Sequence, residues 1–151
     1  MSGGAVIGGA LTGGAVIAVD PGRIKAGYAV LDSAGDPLDS GICPVESLAQ
    51  RLRTVVATHT PAVVALGRGT NAKPVAEALA ALGLPIRWVD EYETTRRARD
   101  LFFTDHPPRG WRRLLPRGLQ VPDRPIDDYA AILIGRRYLG TTDAPPARGD
   151  A

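Results

Sequence analysis

Cysteine, histidine and lysine are scarce in this chain, and so are long apolar runs. A single cysteine, Cys43, in 151 residues leaves no intrachain disulfide and no Cys-rich zinc site. The two histidines, His59 and His106, occupy loop-like positions and offer no metal-ligand spacing. No apolar stretch approaches the ~18 residues of a membrane span. The N-terminus has neither the basic start nor the apolar stretch of a secretory signal. The expectation is a cytoplasmic protein of one domain, without membrane contact. What is abundant is glycine (18) and proline (13), which points to loose ends and loops in a chain whose apolar share, 44%, is ordinary for a globular protein.

Charge is unevenly spread. The net charge is +2. The segment 96–124 holds eight arginines against three acids, so it stands at +5 and the remainder at −3. Such a block suits a polyanionic partner, because phosphate contacts come largely from basic side chains. Arginine outnumbers lysine 16 to 2 throughout, so a general arginine preference explains part of the excess.

The ends differ from the middle. Residues 1–14 are small, Gly-rich and uncharged, and read as a flexible leader. Residues 141–151 are polar and Pro-rich and read as a disordered tail. The string GGAVI occurs at Gly3–Ile7 and Gly13–Ile17, too short a period and too few copies for a solenoid. Between the ends, strand and helix patterns alternate. Ala15–Val19 is a short apolar strand, followed by Ala26–Leu31 and Leu38–Cys43 as two hairpins. Glu46–Thr58 carries Leu48, Leu52, Val55 and Val56 at helical spacing. Ala62–Gly67 is a strand, Lys73–Leu82 a helix stopped by Gly83 and Pro85, and Ile86–Asp90 a strand. Thr95–Phe102 and Asp128–Leu139 are the last helices. The order βββαβαβα predicts an α/β domain over 15–140, with a mixed five-stranded sheet flanked by helices: three antiparallel strands, then two parallel.

Three acids stand where core elements end or begin. Asp20 closes the first strand, Glu91 follows the fifth, and Asp127 opens the last helix. A carboxylate just past a core strand is held rigidly, and one at the start of the final helix can meet it if that helix packs across the same edge. Each acid alone has a plainer reading, as turn chemistry at Asp20 or as helix-start acids elsewhere. Together they suit a hard cation, Mg²⁺ or Mn²⁺. Two such ions about 4 Å apart can activate a water and stabilise the leaving oxygen of a phosphodiester.

The same residues carry a resemblance. The stretches VIAVDPGRIKAGYAVLD, VVALGRGTNAKPV, VDEYETTRRARDLF and PIDDYAAILIGRRYL resemble, in order, motifs of the YqgF family of RuvC-like nucleases in the ribonuclease H-like superfamily. They cover about residues 15–139. The resemblance implies a ribonuclease H-like fold, a two-metal Mg²⁺ or Mn²⁺ site, and Asp20, Glu91 and Asp127 as the catalytic, metal-binding acids, with Asp128 as a backup ligand. It implies a nuclease for structured nucleic acid: first a role in pre-16S ribosomal RNA processing and ribosome biogenesis, second a Holliday junction resolvase acting on branched DNA. The Ala65–Thr70 loop, ALGRGT, departs from the family's usual strand end. It looks more like the RuvC-like module of Tex-type RNA-binding proteins, so a non-catalytic RNA-binding adaptor is the alternative. Actin-like sugar kinases share Asp-x-Gly turns on a related fold, but they use two such domains in a far longer chain. Monomer and homodimer both remain open.

Four basic residues are candidates for nucleic-acid contact. Lys25 lies in the first hairpin turn, and Arg68 in a Gly-rich loop between strand and helix, where backbone N–H groups can hold an anion. That loop lacks Walker spacing. Arg112 and Arg113 lie in the Pro- and Arg-rich stretch 105–125 beside Trp111, a mixture suited to backbone contact and base stacking. Alternatively Trp111, Leu114, Leu115 and Leu119 tuck that stretch onto the core. Trp88, inside a strand, is expected in the core, as are Phe102 and Phe103 unless they meet a second copy.

Overall fold

The computed structural model describes residues 6–7, 10–11, 14–90, 94–107, 114 and 125–140. Two short strands, β1 (Val6–Ile7) and β2 (Ala10–Leu11), pair antiparallel. The main sheet follows with β3 (Val16–Asp20), β4 (Lys25–Leu31), β5 (Pro37–Pro44), β6 (Val63–Gly67) and β7 (Ile86–Val89). Its helices are α1 (Leu48–His59), α2 (Ala72–Leu79), α3 (Thr94–Asp105) and α4 (Asp127–Leu139). Strand order is β5-β4-β3-β6-β7, with β3, β4 and β5 antiparallel and β6 and β7 parallel to β3. This is the mixed sheet that the pattern predicts. Every expected strand and helix is present, with α3 running three residues past Phe102.

The central strand explains the layering. β3 has neighbours on both sides, and its four apolar residues are fully buried. Its alternation splits the core in two. Val16 and Ala18 face α3 and α4 together with Ala29, Leu31, Val63 and Ala65. Ile17 and Val19 face α1 and α2 together with Tyr28, Val30, Val64 and Leu66. Alanines in the middle of the first face let α4 lie close on the sheet, and nine consecutive residues of α4, Asp128–Arg136, are buried. Arg136, 4% exposed, donates from Nε to the Gly35 carbonyl at 2.9 Å, which ties α4 to the β4–β5 turn.

Gly135 marks a close approach of that helix to the sheet. A Cβ there would lie 2.5 Å from Leu31 Cδ1 and 3.0 Å from Ala18 Cβ. Gly135→Val is therefore expected to destabilise the fold by about 1–3 kcal/mol, the range for overpacking a filled core. Denaturant unfolding at fixed pH checks this, with a midpoint unchanged from wild type contradicting the packing.

Cys43 on β5 is buried within the α1 side of the core. Burial pushes its thiol above the ordinary value, and the nearby Arg51 guanidinium pulls it partly back. The folded chain thus holds this proton to higher pH than the unfolded chain. Its stabilising contribution is full at neutral pH and is lost as pH rises beyond the unfolded thiol's ~8.5. The expected results are slow alkylation of the native protein at neutral pH, fast alkylation once unfolded, and a declining unfolding midpoint above about pH 8.5.

Candidate active site

Because β3, β6 and β7 run parallel, their C-terminal ends share one edge of the sheet. Ligands of open α/β sheets bind outside such ends. Asp20 is the last residue of β3 and pairs with Gly27 on β4. Strand alternation places it on the same face as Val16 and Ala18, the face that α4 covers. A Cβ on Gly27 would lie 2.0 Å from the Asp127 carbonyl oxygen and 2.8 Å from Asp127 Cβ. The first residue of α4 therefore rests directly on the glycine paired with Asp20. Two acidic residues far apart in sequence are thus both neighbours of Gly27.

The neighbouring acids at the start of α4 have different surroundings. Asp127 keeps a third of its side chain exposed, and its Oδ2 lies 3.9 Å from Lys25 Nζ. Its position in the first turn also suits an anion, through the helix dipole. Asp128 is 8% exposed, and its Oδ1 accepts a bond from the Tyr129 N–H. Tyr129 in turn donates its hydroxyl to Asp105 Oδ2 at 2.9 Å. Lys25, the first residue of β4, thus stands beside Asp127.

The turn bearing Asp20 is braced from two directions. A Cβ on Gly22 would lie 2.3 Å from the Lys25 carbonyl oxygen, so the Pro-Gly turn admits no side chain. Asn71, in the left-handed region at φ 66°, donates from Nδ2 to the Gly22 carbonyl at 2.8 Å. The Gly67–Asn71 loop is thereby fastened to the β3–β4 turn. Within that loop Arg68 is exposed, with Nε 3.2 Å from Asp90 Oδ1.

Three of the expected site residues, Glu91, Arg112 and Arg113, lie outside the described residues, as does Trp111. Among the described residues no three His, Cys, Asp or Glu side chains gather closely enough to hold a metal. Of the three anticipated carboxylates, Asp20 and Asp127 lie among the described residues, and an all-oxygen donor set fits a hard divalent cation.

One expectation, for Trp88, and one residue of an alternative reading, Leu114, need correction. Trp88 is not core: it is 42% exposed, because β7 is an edge strand and its side toward α2 is left uncovered. Leu114 is 81% exposed and does not tuck inward. Phe102 and Phe103 are buried, the first in edge contact with Tyr129. The charges at Arg87 and Asp90, on either side of Trp88 and Val89, are the available sign of a half-covered strand.

No protein-family model matches the chain, and no curated protein does. Among solved structures, the chain is similar to a Thermus thermophilus RuvC structure, with 16% identity and TM-score 0.51 over 84% of this chain and 97% of that one. The large terminase nuclease from thermophilic phage G20c has 17% identity and TM-score 0.49, covering 82% of this chain and 81% of that one. A ROK family glucokinase from Streptomyces griseus has 19% identity and TM-score 0.40, over 57% of this chain and 36% of that one. The sheet order and the RuvC likeness define an α/β fold of the ribonuclease H-like type.

Proposed function

We propose that this protein is a divalent-metal-dependent nuclease that hydrolyses phosphodiester bonds of structured nucleic acid, acting in the cytoplasm on precursor ribosomal RNA. The observation that carries the reading is that Asp20 and Asp127 both neighbour Gly27, at the C-terminal edge of a RuvC-like sheet. The ordered sequence motifs support the RNA-processing role, and branched DNA is the second substrate.

Asp20, Asp127 and Glu91 are the residues that would hold Mg²⁺ or Mn²⁺ in a two-metal site, with Asp128 in reserve. Bound there, the ions supply Lewis-acid polarisation of the phosphate and lower the pKa of the attacking water. The chain's own residues do the rest. Asp20 is anchored by the β3–β4 ladder, and Asp127 by the seat of α4 on Gly27, so neither carboxylate must reorganise for the reaction. Lys25, half exposed beside Asp127, offers its ammonium to a backbone phosphate, exposed Arg68 offers a second cation, and Arg112 and Arg113 are the further phosphate contacts that the sequence proposes. Cleavage leaves a 5′-phosphate and a 3′-hydroxyl.

The test is cleavage of labelled structured RNA, single-stranded RNA and a four-way DNA junction, each with Mn²⁺, Mg²⁺ or chelator. Cutting that requires metal and prefers structured RNA is the expected result. Preference for the junction moves the substrate to branched DNA. Tight RNA binding with no cutting under any metal replaces the nuclease with an RNA-binding module.

A further inference from the structure

At the same edge of the sheet as Asp20, but on its α2 face, lies an open groove of ≈ 460 Å³, lined by Arg68, Asn71, Lys73, Pro74 and Trp88 among others. Its lining holds two cations, an exposed indole and no carboxylate. We propose that it holds an unpaired nucleotide of the substrate strand, the base on Trp88 and the phosphate on Arg68 and Lys73. The proposal rests on the nucleic-acid reading above and names the part of the substrate that this side of the site takes.

Three observations carry it. First, the indole is presented rather than packed: Trp88 is 42% exposed on an edge strand, on the opposite face from the buried Val89. A large aromatic left open beside cations is the combination that binds single strands, because every base has a face to stack. Second, the ring already has a flat cation near it. The Arg68 guanidinium carbon lies 5.9 Å from the Trp88 ring centre, while Nε pairs with Asp90. Both Arg68 and Asp90 are well exposed, at 60% and 80% of their side chains, so the pair is weak and a phosphate can displace Asp90.

Third, the groove is fastened to the carboxylate turn. Trp88 pairs with Leu66 and Leu66 with Val19, the residue before Asp20, so the indole strand lies two strand spacings, about 10 Å, from β3. Asn71, which lines the groove, also holds the Gly22 carbonyl in the turn after Asp20. Trp88 shares its face with Leu66 and Val19, so a nucleotide held there reaches the edge of the sheet that Asp20 ends on from the opposite face. A groove of this volume suits one splayed base and not a duplex. A nucleoside triphosphate is disfavoured because the loop lacks Walker spacing.

The experiment measures binding of a labelled oligouridylate, an oligothymidylate and a blunt RNA duplex to the full chain in chelator, by fluorescence anisotropy. Wild type is compared with Trp88→Ala, Trp88→Phe and Arg68→Ala, with circular dichroism confirming that each folds. Trp88→Ala is expected to weaken both single strands by roughly 5- to 100-fold, the range for losing one base–aromatic stack. Trp88→Phe should recover most of that loss, and the duplex should bind Trp88→Ala as it binds wild type. Unchanged single-strand affinity in Trp88→Ala, or equal losses for strand and duplex, overturns the groove while leaving the nuclease reading intact. A wild type that binds none of the three probes overturns both.

Discussion

Asp20→Asn is expected to reduce metal-dependent cleavage by roughly three orders of magnitude, since the several kcal/mol of charge stabilisation a metal site supplies corresponds to that factor. The substitution keeps the shape of the side chain and removes its charge at the end of a strand whose preceding four residues are fully buried. Stability should therefore change little, while nucleic-acid binding in chelator should hold or tighten, with one less carboxylate facing the phosphates. Asp127→Asn should produce a similar loss. It also breaks the 3.9 Å contact with Lys25, but that pair is partly exposed and contributes little to folding. Combining the two variants should cost hardly more than either alone, because residues acting as one unit are not additive. Single-turnover cleavage with Mn²⁺ decides the matter. Activity within tenfold of wild type in either variant would remove that residue from the site.

Gly27→Ala should strike the same chemistry without touching a carboxylate. Its new Cβ would meet the Asp127 backbone 2.0 Å away, and a carbonyl at the start of a buried helix cannot yield as a side-chain tip can. Either β4 or the first turn of α4 must move. The expected cost is about 3 kcal/mol, the upper part of the overpacking range. For a chain of this size that lowers the thermal midpoint by roughly 6–12 °C. Cleavage measured well below the melting temperature should still fall by about 100-fold, because a misplacement near 1 Å is enough. Gly135→Val makes the informative contrast. It strains the same helix against Leu31 and Ala18, two turns further on, and leaves the Asp127–Gly27 seat alone. Its loss of stability should therefore come with a much smaller loss of cleavage. Calorimetry and single-turnover rates on the two variants separate a helix that positions the site from one that merely fills the core.

The elements were legible because their signals are local. Strand alternation, helical spacing at Leu48, Leu52 and Val55, and the stop at Gly83 (φ 74°) each depend on a few neighbouring residues. The length of α3 was less legible. The helix continues to Asp105, where Phe102 and Phe103 are pulled into the core and the Thr104 hydroxyl bonds back to the Asp100 carbonyl. Trp88 was misread for a related reason. An apolar residue in a strand is buried only if something covers that side of it, and β7's place at the edge of the sheet is not written in its own four residues.

By itself, then, the sequence determined the order of strands and helices, the mixed sheet, and the acids worth watching at Asp20 and Asp127. Only the tertiary structure decided that both neighbour Gly27, because that depends on α4 crossing the sheet close enough for a backbone carbonyl to rest on Gly27. It also decided that Lys25 joins Asp127 and that Trp88 opens onto a basic groove. Periodicity records which face of an element is apolar. Which element covers that face, and how closely, is fixed by packing between residues distant in the chain.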